Sequence, residues 1–180
     1  ALVFPAPIIL ALLLNEIGDG WFKRFVQTVS YLPHFISWIV VGGLLTYTFS
    51  QSMGVVNIQL QRLGLEPWQI LGNKSAFYGL VVGTGIWKEI GWETIIYLAA
   101  IAGINPELYE AAKVDGANRF QRALQITLPG ISAVIVIMLI LQISAILNSN
   151  FLQILILQGS DASLYEVGDV IDTWVYRAGF

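Results

Sequence analysis

From residue 131 to 147 the chain reads ISAVIVIMLILQISAIL, without one charged side chain. A run this apolar belongs either in a protein core or in the hydrocarbon of a bilayer, and the remainder of the chain decides between the two. Hydrophobic residues make up 56% of the 180 residues and charged ones 12%, and the mean hydropathy is +0.71. These values lie far from those of soluble domains, and the chain reads as a membrane protein.

A spanning helix needs roughly 20 mainly apolar residues to cross a hydrocarbon core of ~30 Å. Four segments qualify as candidates: Ala1 to Leu14, Pro33 to Phe49, Ala76 to Gly103 and Ile131 to Leu157. The first is too short alone and has neither a basic flank nor a small-residue cleavage site, so it reads as a span entered midway. The third is interrupted by WKEIGWE at residues 87 to 93, and the fourth has a polar second half. The expectation is an all-α polytopic helical bundle of about four spans, in one transmembrane domain over residues 1–180. Connecting segments would be 15 to 32, 50 to 75, 104 to 130 and a tail from 158. Lys23, Arg24, Lys113, Arg119 and Arg122 then lie on one side, against Arg62, Lys74 and Arg177 on the other. The side richer in Lys and Arg is expected to be cytoplasmic.

Several function classes fall away. The chain has no cysteine and a single histidine, His34, which removes disulfide frameworks, thiol catalysis and histidine-cluster metal sites. A net charge of -3 and a pI near 5.0 leave no basic surface for nucleic acid. No phosphate-binding G-x-x-x-x-G-K-[ST] loop occurs, so no nucleotide hydrolysis is expected of this chain. No paired catalytic constellation suggests an intramembrane enzyme.

The segment 104 to 130 stands out as polar between two apolar runs. Asn105-Pro106 is a helix-start signal, with Glu107 and Glu110 near the positive end of the helix dipole. A short helix from about Pro106 to Val114 would end before Gly116, where the chain can turn sharply. A second amphipathic turn would run from Phe120 to Leu124 before Pro129. On physics alone this is an interfacial loop with one face in water and one on lipid.

The spacing adds a resemblance. Glu110-Ala111-Ala112, three residues, Gly116, nine residues, Ile126, one residue, then Leu128-Pro129 is similar to the EAA loop of permease subunits of bacterial ABC importers. SYLPHFISWIVVGGLL, IWKEIGWETIIYLAAIAGINPELYEAAKVDGA and LNSNFLQILILQG also resemble the permeases that import oligosaccharides, especially the polysaccharide type. The resemblance implies a bundle of the ABC importer permease type, a six-span subunit of which this chain would hold about four spans. It implies a multi-pass protein of the bacterial inner membrane, with cytoplasmic coupling through Tyr109, Glu110, Ala111, Ala112, Asp115, Gly116, Ala117, Phe120 and Pro129. It implies as partners an ATPase subunit dimer, a second permease subunit, an extracytoplasmic solute-binding protein, membrane lipid and an oligosaccharide. No cofactor is expected in this chain, because ATP and Mg would sit on the ATPase.

The polar groups inside the spans are the remaining candidates. Ionisable residues in a span face a bundle interior or a water-filled cavity. Trp87, Lys88, Glu89, Trp92 and Glu93 offer carboxylates and indole faces suited to sugar hydroxyls and C–H faces. The plainer reading is an outer interface with a tryptophan belt and a snorkelling lysine. Asn148, Asn150 and Gln153 form a similar set, which serves either sugar binding, as the resemblance implies, or interhelical hydrogen bonding. His34, after Pro33, reads as an interfacial histidine rather than a proton carrier. The alternative function is an ion- or proton-coupled secondary transporter using Glu89, Glu93 and Lys88.

Overall fold

The computed structural model describes residues 3–147, 150–159 and 161–179, with the side chains of residues 146 and 147 left aside. Its helices follow in chain order: α1 (Pro5–Glu16), α2 (Trp21–Tyr31), a 3-10 turn at Leu32–Phe35, α3 (Trp38–Phe49), α4 (Val55–Arg62), α5 (Lys74–Ala102), α6 (Pro106–Val114) and α7 (Arg119–Arg122). A π-helical turn at Ala123–Thr127 leads to α8 (Leu128–Gly130), α9 (Ser132–Leu147), α10 (Phe151–Gln158), a 3-10 turn at Ala162–Leu164, α11 (Tyr165–Gly168) and α12 (Ile171–Gly179). The described residues contain no strand.

Three of the four apolar segments appear as helices near their expected bounds. The fourth does not: residues 131 to 157 form two helices, α9 and α10, with the described Asn150 outside both. Asn150 is a residue type that favours non-helical backbone through local side-chain hydrogen bonding. Among the described residues no single helix is long and apolar enough to cross a membrane. Two bent pairs pass that test together: Trp21–Phe35 with Trp38–Phe49, and Arg119–Gly130 with Ser132–Ala145, the second bent by 63°. With 29 residues, α5 has the length, about 43 Å at 1.5 Å per residue, but Lys88, Glu89 and Glu93 interrupt its apolar character.

The chain divides into two compact units. Residues 1–35 and 85–146 form the first, around Ile8 and Ala11 of α1, Tyr97 and Ile101 of α5, and Ile131 before α9. Thr94, fully buried, donates to the carbonyls of Pro7 (3.2 Å) and Ile90 (2.5 Å), so its hydroxyl fastens α5 to the first turn of α1. Residues 36–84 and 147–180 form the second unit, around Phe77, Leu157 and Leu164. At its start Lys74 donates to Glu166 at 2.5 Å, and this hydrogen bond holds the Glu166 carboxyl below the usual carboxylate range.

The segment between α3 and α5 is organised by one amide. Asn57, 1% exposed, donates to the carbonyls of Phe49, Ser50 and Trp68 at 3.0 to 3.3 Å and accepts from the Trp68 backbone N–H at 2.7 Å. An Asn57→Ala variant leaves these part-buried backbone groups without their partner, at a cost of about 1–3 kcal/mol. Limited proteolysis of the membrane-inserted protein should show faster cleavage between residues 50 and 73, and unchanged cleavage would contradict this role.

Candidate coupling loop and intramembrane polar cluster

The 104 to 130 segment folds as a hook of two short helices. Asn105 accepts from the Glu107 N–H at 3.0 Å and Pro106 occupies the first turn, which starts α6 at the expected residue. The end of α6 is a Schellman turn: the Ala117 N–H reaches the Ala112 carbonyl at 2.9 Å and the Gly116 N–H reaches Lys113 at 3.1 Å. Such a turn needs a left-handed residue, and Gly116 supplies it with φ at +80°. Asn118 and Gln121 then cap α7 reciprocally, each side chain accepting from the other's backbone N–H at 2.8 to 2.9 Å.

One contact folds the hook back on its own stem and another ties it to α1. The Tyr109 hydroxyl meets the hydroxyl of the fully buried Thr127 at 2.9 Å, and Arg119 reaches the Glu16 carbonyl at the end of α1 at 3.5 Å. Glu110, Ala111, Asp115, Gly116, Phe120 and Pro129 are exposed, while Tyr109, Ala112 and Ala117 are half-buried. At the bend Val114 is 89% and Phe120 71% exposed, so apolar side chains stand at the tip of a segment otherwise rich in charge. Beneath the hook, Gly130 gives room for Ile104; a Cβ there would lie 2.7 Å from its side chain.

The second candidate set divides between the two units. In the first, Lys88 is 6% exposed and its ammonium donates to the backbone carbonyls of His34 at 2.6 Å and Pro33 at 3.4 Å. Glu89 meets the His34 ring at 2.7 Å, and the Trp92 ring stacks on His34 with centroids 4.4 Å apart and planes 3° from parallel. Lys88 and Glu89 therefore hold the turn after α2. Trp87 and Trp92 remain 44% exposed, which leaves indole surface available, and Glu93 is half-buried with one oxygen unpartnered among the described residues.

In the second unit Gln153, 1% exposed, donates to the Val81 carbonyl at 2.7 Å and the Thr84 hydroxyl at 2.9 Å. Its amide ties α10 to α5, the interhelical role that polar side chains take in bundles. Asn150 is exposed and directly precedes α10, and Asn148 lies outside the described residues. A cavity of about 180 Å³ opens in this unit between Gly42, Thr46, Gly72 and Gln158, and none of the sequence candidates lines it. No local signal in the chain joins His34 to Glu89 and Trp92, because the partners lie 55 and more residues apart.

A family model for the binding-protein-dependent transport system inner membrane component matches residues 4–170. The chain belongs to that family. Among its relatives, the polygalacturonan/rhamnogalacturonan transport system permease protein YteP of Bacillus subtilis (strain 168) is 46% identical over 179 residues. That alignment covers 99% of this chain and 55% of the relative. A crystal structure of a bacterial ABC transporter involved in the import of the acidic polysaccharide alginate superposes with a TM-score of 0.91 at 44% identity. It covers 98% of this chain and 61% of its own. A second structure, the alginate transporter in complex with an alginate pentasaccharide-bound periplasmic protein, gives a TM-score of 0.90 at 44% identity over 98% and 60% of the two chains. The chain thus spans a little over half the length of these family members.

The family's permease fold is the all-helical arrangement expected from the sequence. Within it, the contacts of Lys88 predict a structural effect. Lys88→Met leaves the His34 and Pro33 carbonyls without their donor and should lower the thermal midpoint of the detergent-solubilised permease by several degrees, corresponding to about 1–3 kcal/mol. An unchanged midpoint would show that the ammonium does not hold this turn.

Proposed function

We propose that this chain forms the membrane-embedded core of a permease subunit in an ATP-driven importer of oligosaccharides, with acidic oligosaccharides as the cargo class. The hook from residue 106 to 130 carries the reading. It is a rigidly capped bend that projects Val114 and Phe120 with Glu110 and Asp115 beside them, the mixture of apolar anchors and charge-accepting groups that docks into a partner's cleft. In this reading the hook seats on a separate ATPase dimer, which holds ATP and Mg. Closure of that dimer moves the hook, and the attached helices rock between inward-open and outward-open states. A second permease subunit completes the path, and an extracytoplasmic solute-binding protein delivers the sugar. The cargo class rests on the polygalacturonan/rhamnogalacturonan and alginate transport of the relatives.

For the sugar, Trp87 and Trp92 offer indole surface and Glu93 a carboxylate within the first unit, and Asn148 and Asn150 are separate candidates by residue type alone. Lys88, Glu89 and Gln153 serve this path indirectly, by holding the helices that carry those groups. The ion-coupled alternative needs Lys88, Glu89 and Glu93 as carriers. Two of the three are already engaged with the turn at Pro33 and His34, which favours the ATP-driven reading.

Gly116→Val forces a β-branched residue into the left-handed region, at about 1–2 kcal/mol. In the assembled transporter in proteoliposomes, sugar uptake and sugar-stimulated ATP hydrolysis should both fall roughly tenfold, the rate equivalent of about 1.4 kcal/mol. Glu110→Ala should lower both in the same sense. Normal uptake by both variants, with loss on Glu93→Gln instead, would favour the ion-coupled alternative.

A further inference from the structure

In soluble proteins an amphipathic helix turns its apolar face inward, and α2 does the reverse. It has no buried residue. Trp21, Phe22, Phe25, Val29 and the following Leu32 are 78%, 51%, 57%, 54% and 62% exposed. At 100° per residue these five positions fall within an arc of about 100°, a single continuous apolar stripe. Lys23, Gln27 and Ser30 fall on the opposite side of the helix, and Arg24 flanks the stripe.

The polar side is the one held by the protein. The Ser30 carbonyl lies so close to Gly91 of α5 that a Cβ there would stand 2.0 Å from it. At the far end Lys23 donates to Asp19 at 2.8 Å. With its back fixed at Gly91 and its end fixed by the Lys88 and Glu89 contacts to the next turn, α2 presents its aromatic stripe outward by construction.

We propose that α2 is an interfacial helix whose stripe from Trp21 to Leu32 seats in the headgroup and upper acyl region of an anionic lipid surface. An aromatic stripe flanked by a cation, Arg24, is a composition that partitions to that depth, where rings bury their carbon and the guanidinium meets headgroup phosphate. A protein partner on the same face would have to desolvate the exposed Arg24 guanidinium at the stripe's edge, which a phosphate-rich interface does not require.

The 180 residues contain no cysteine, so labels can be placed singly. Phe25→Cys, Val29→Cys and Gln27→Cys, each with a nitroxide, are to be read in the full assembled transporter, with any other cysteines replaced by serine. The transporter is reconstituted in vesicles of phosphatidylethanolamine with phosphatidylglycerol. Relaxation by oxygen, which concentrates in lipid, should exceed relaxation by a water-soluble nickel chelate several-fold at 25 and 29, whereas at 27, on the half-buried side held by the protein, both reagents should act weakly. A Phe25 label at headgroup depth in those vesicles that moves outward in the Arg24→Gln background supports the phosphate contact, and an unmoved label removes that part. Labels at 25 and 29 that favour the nickel chelate, or are shielded from both reagents, overturn the proposal. The first outcome means a face in water and the second a face covered by protein.

Discussion

A buried ammonium has to be satisfied where it lies, and the Lys88 ammonium finds the carbonyls of His34 and Pro33. Desolvating such a charge without acceptors costs far more than the contact returns, so the turn that supplies the carbonyls is fixed relative to α5. The rest of the cluster follows from that placement. The His34 ring is brought beside Glu89 and under Trp92, and the chain before it is brought against Gly91, where only a glycine lets the backbones meet. An apparent cluster of charge within an apolar helix is in this way the device that orders two neighbouring segments.

The hook depends on a different kind of constraint, one that is local. Asn105, Gly116, Asn118 and Gln121 each answer a backbone group at a helix end, and together they hold two short helices that would be marginal by themselves. Because the caps use side chains within the segment, the exposed residues at its tip are released from structural duty. Val114 and Phe120 are free to meet something other than their own chain.

These two constraints explain what was legible in the sequence. The start of α6 and the turn at Gly116 were readable to the residue, since a capping Asn and a left-handed glycine act on neighbours a few positions away; the second helix, expected from Phe120 to Leu124, instead starts at Arg119 under the Asn118 and Gln121 caps and runs into a π turn at Ala123–Thr127. The helices around α1, α3 and α5 were readable from apolar length. Residues 131 to 157 were not, because an apolar run does not announce that the chain leaves the helix at Asn150, between α9 and α10. Nor were the fates of Lys88, Glu89 and Gln153. Their partners lie 54 to 72 residues away, and only the packing of helices brings them together. The amphipathic stripe of α2 was present in the letters, but its outward orientation is set by Gly91 and by the turn that Lys88 holds.

The π-helical turn at Ala123–Thr127 joins the hook, through α8, to helix α9. Such a turn accommodates one residue more than an α-turn would, and each residue along a helix advances the direction of a side chain by about 100°. The nine-residue interval between Gly116 and Ile126 therefore acts as an angular setting. Removing or adding a single residue in that interval would swing the tip around the axis of its stem, so the count of residues, more than their identity, aims the hook.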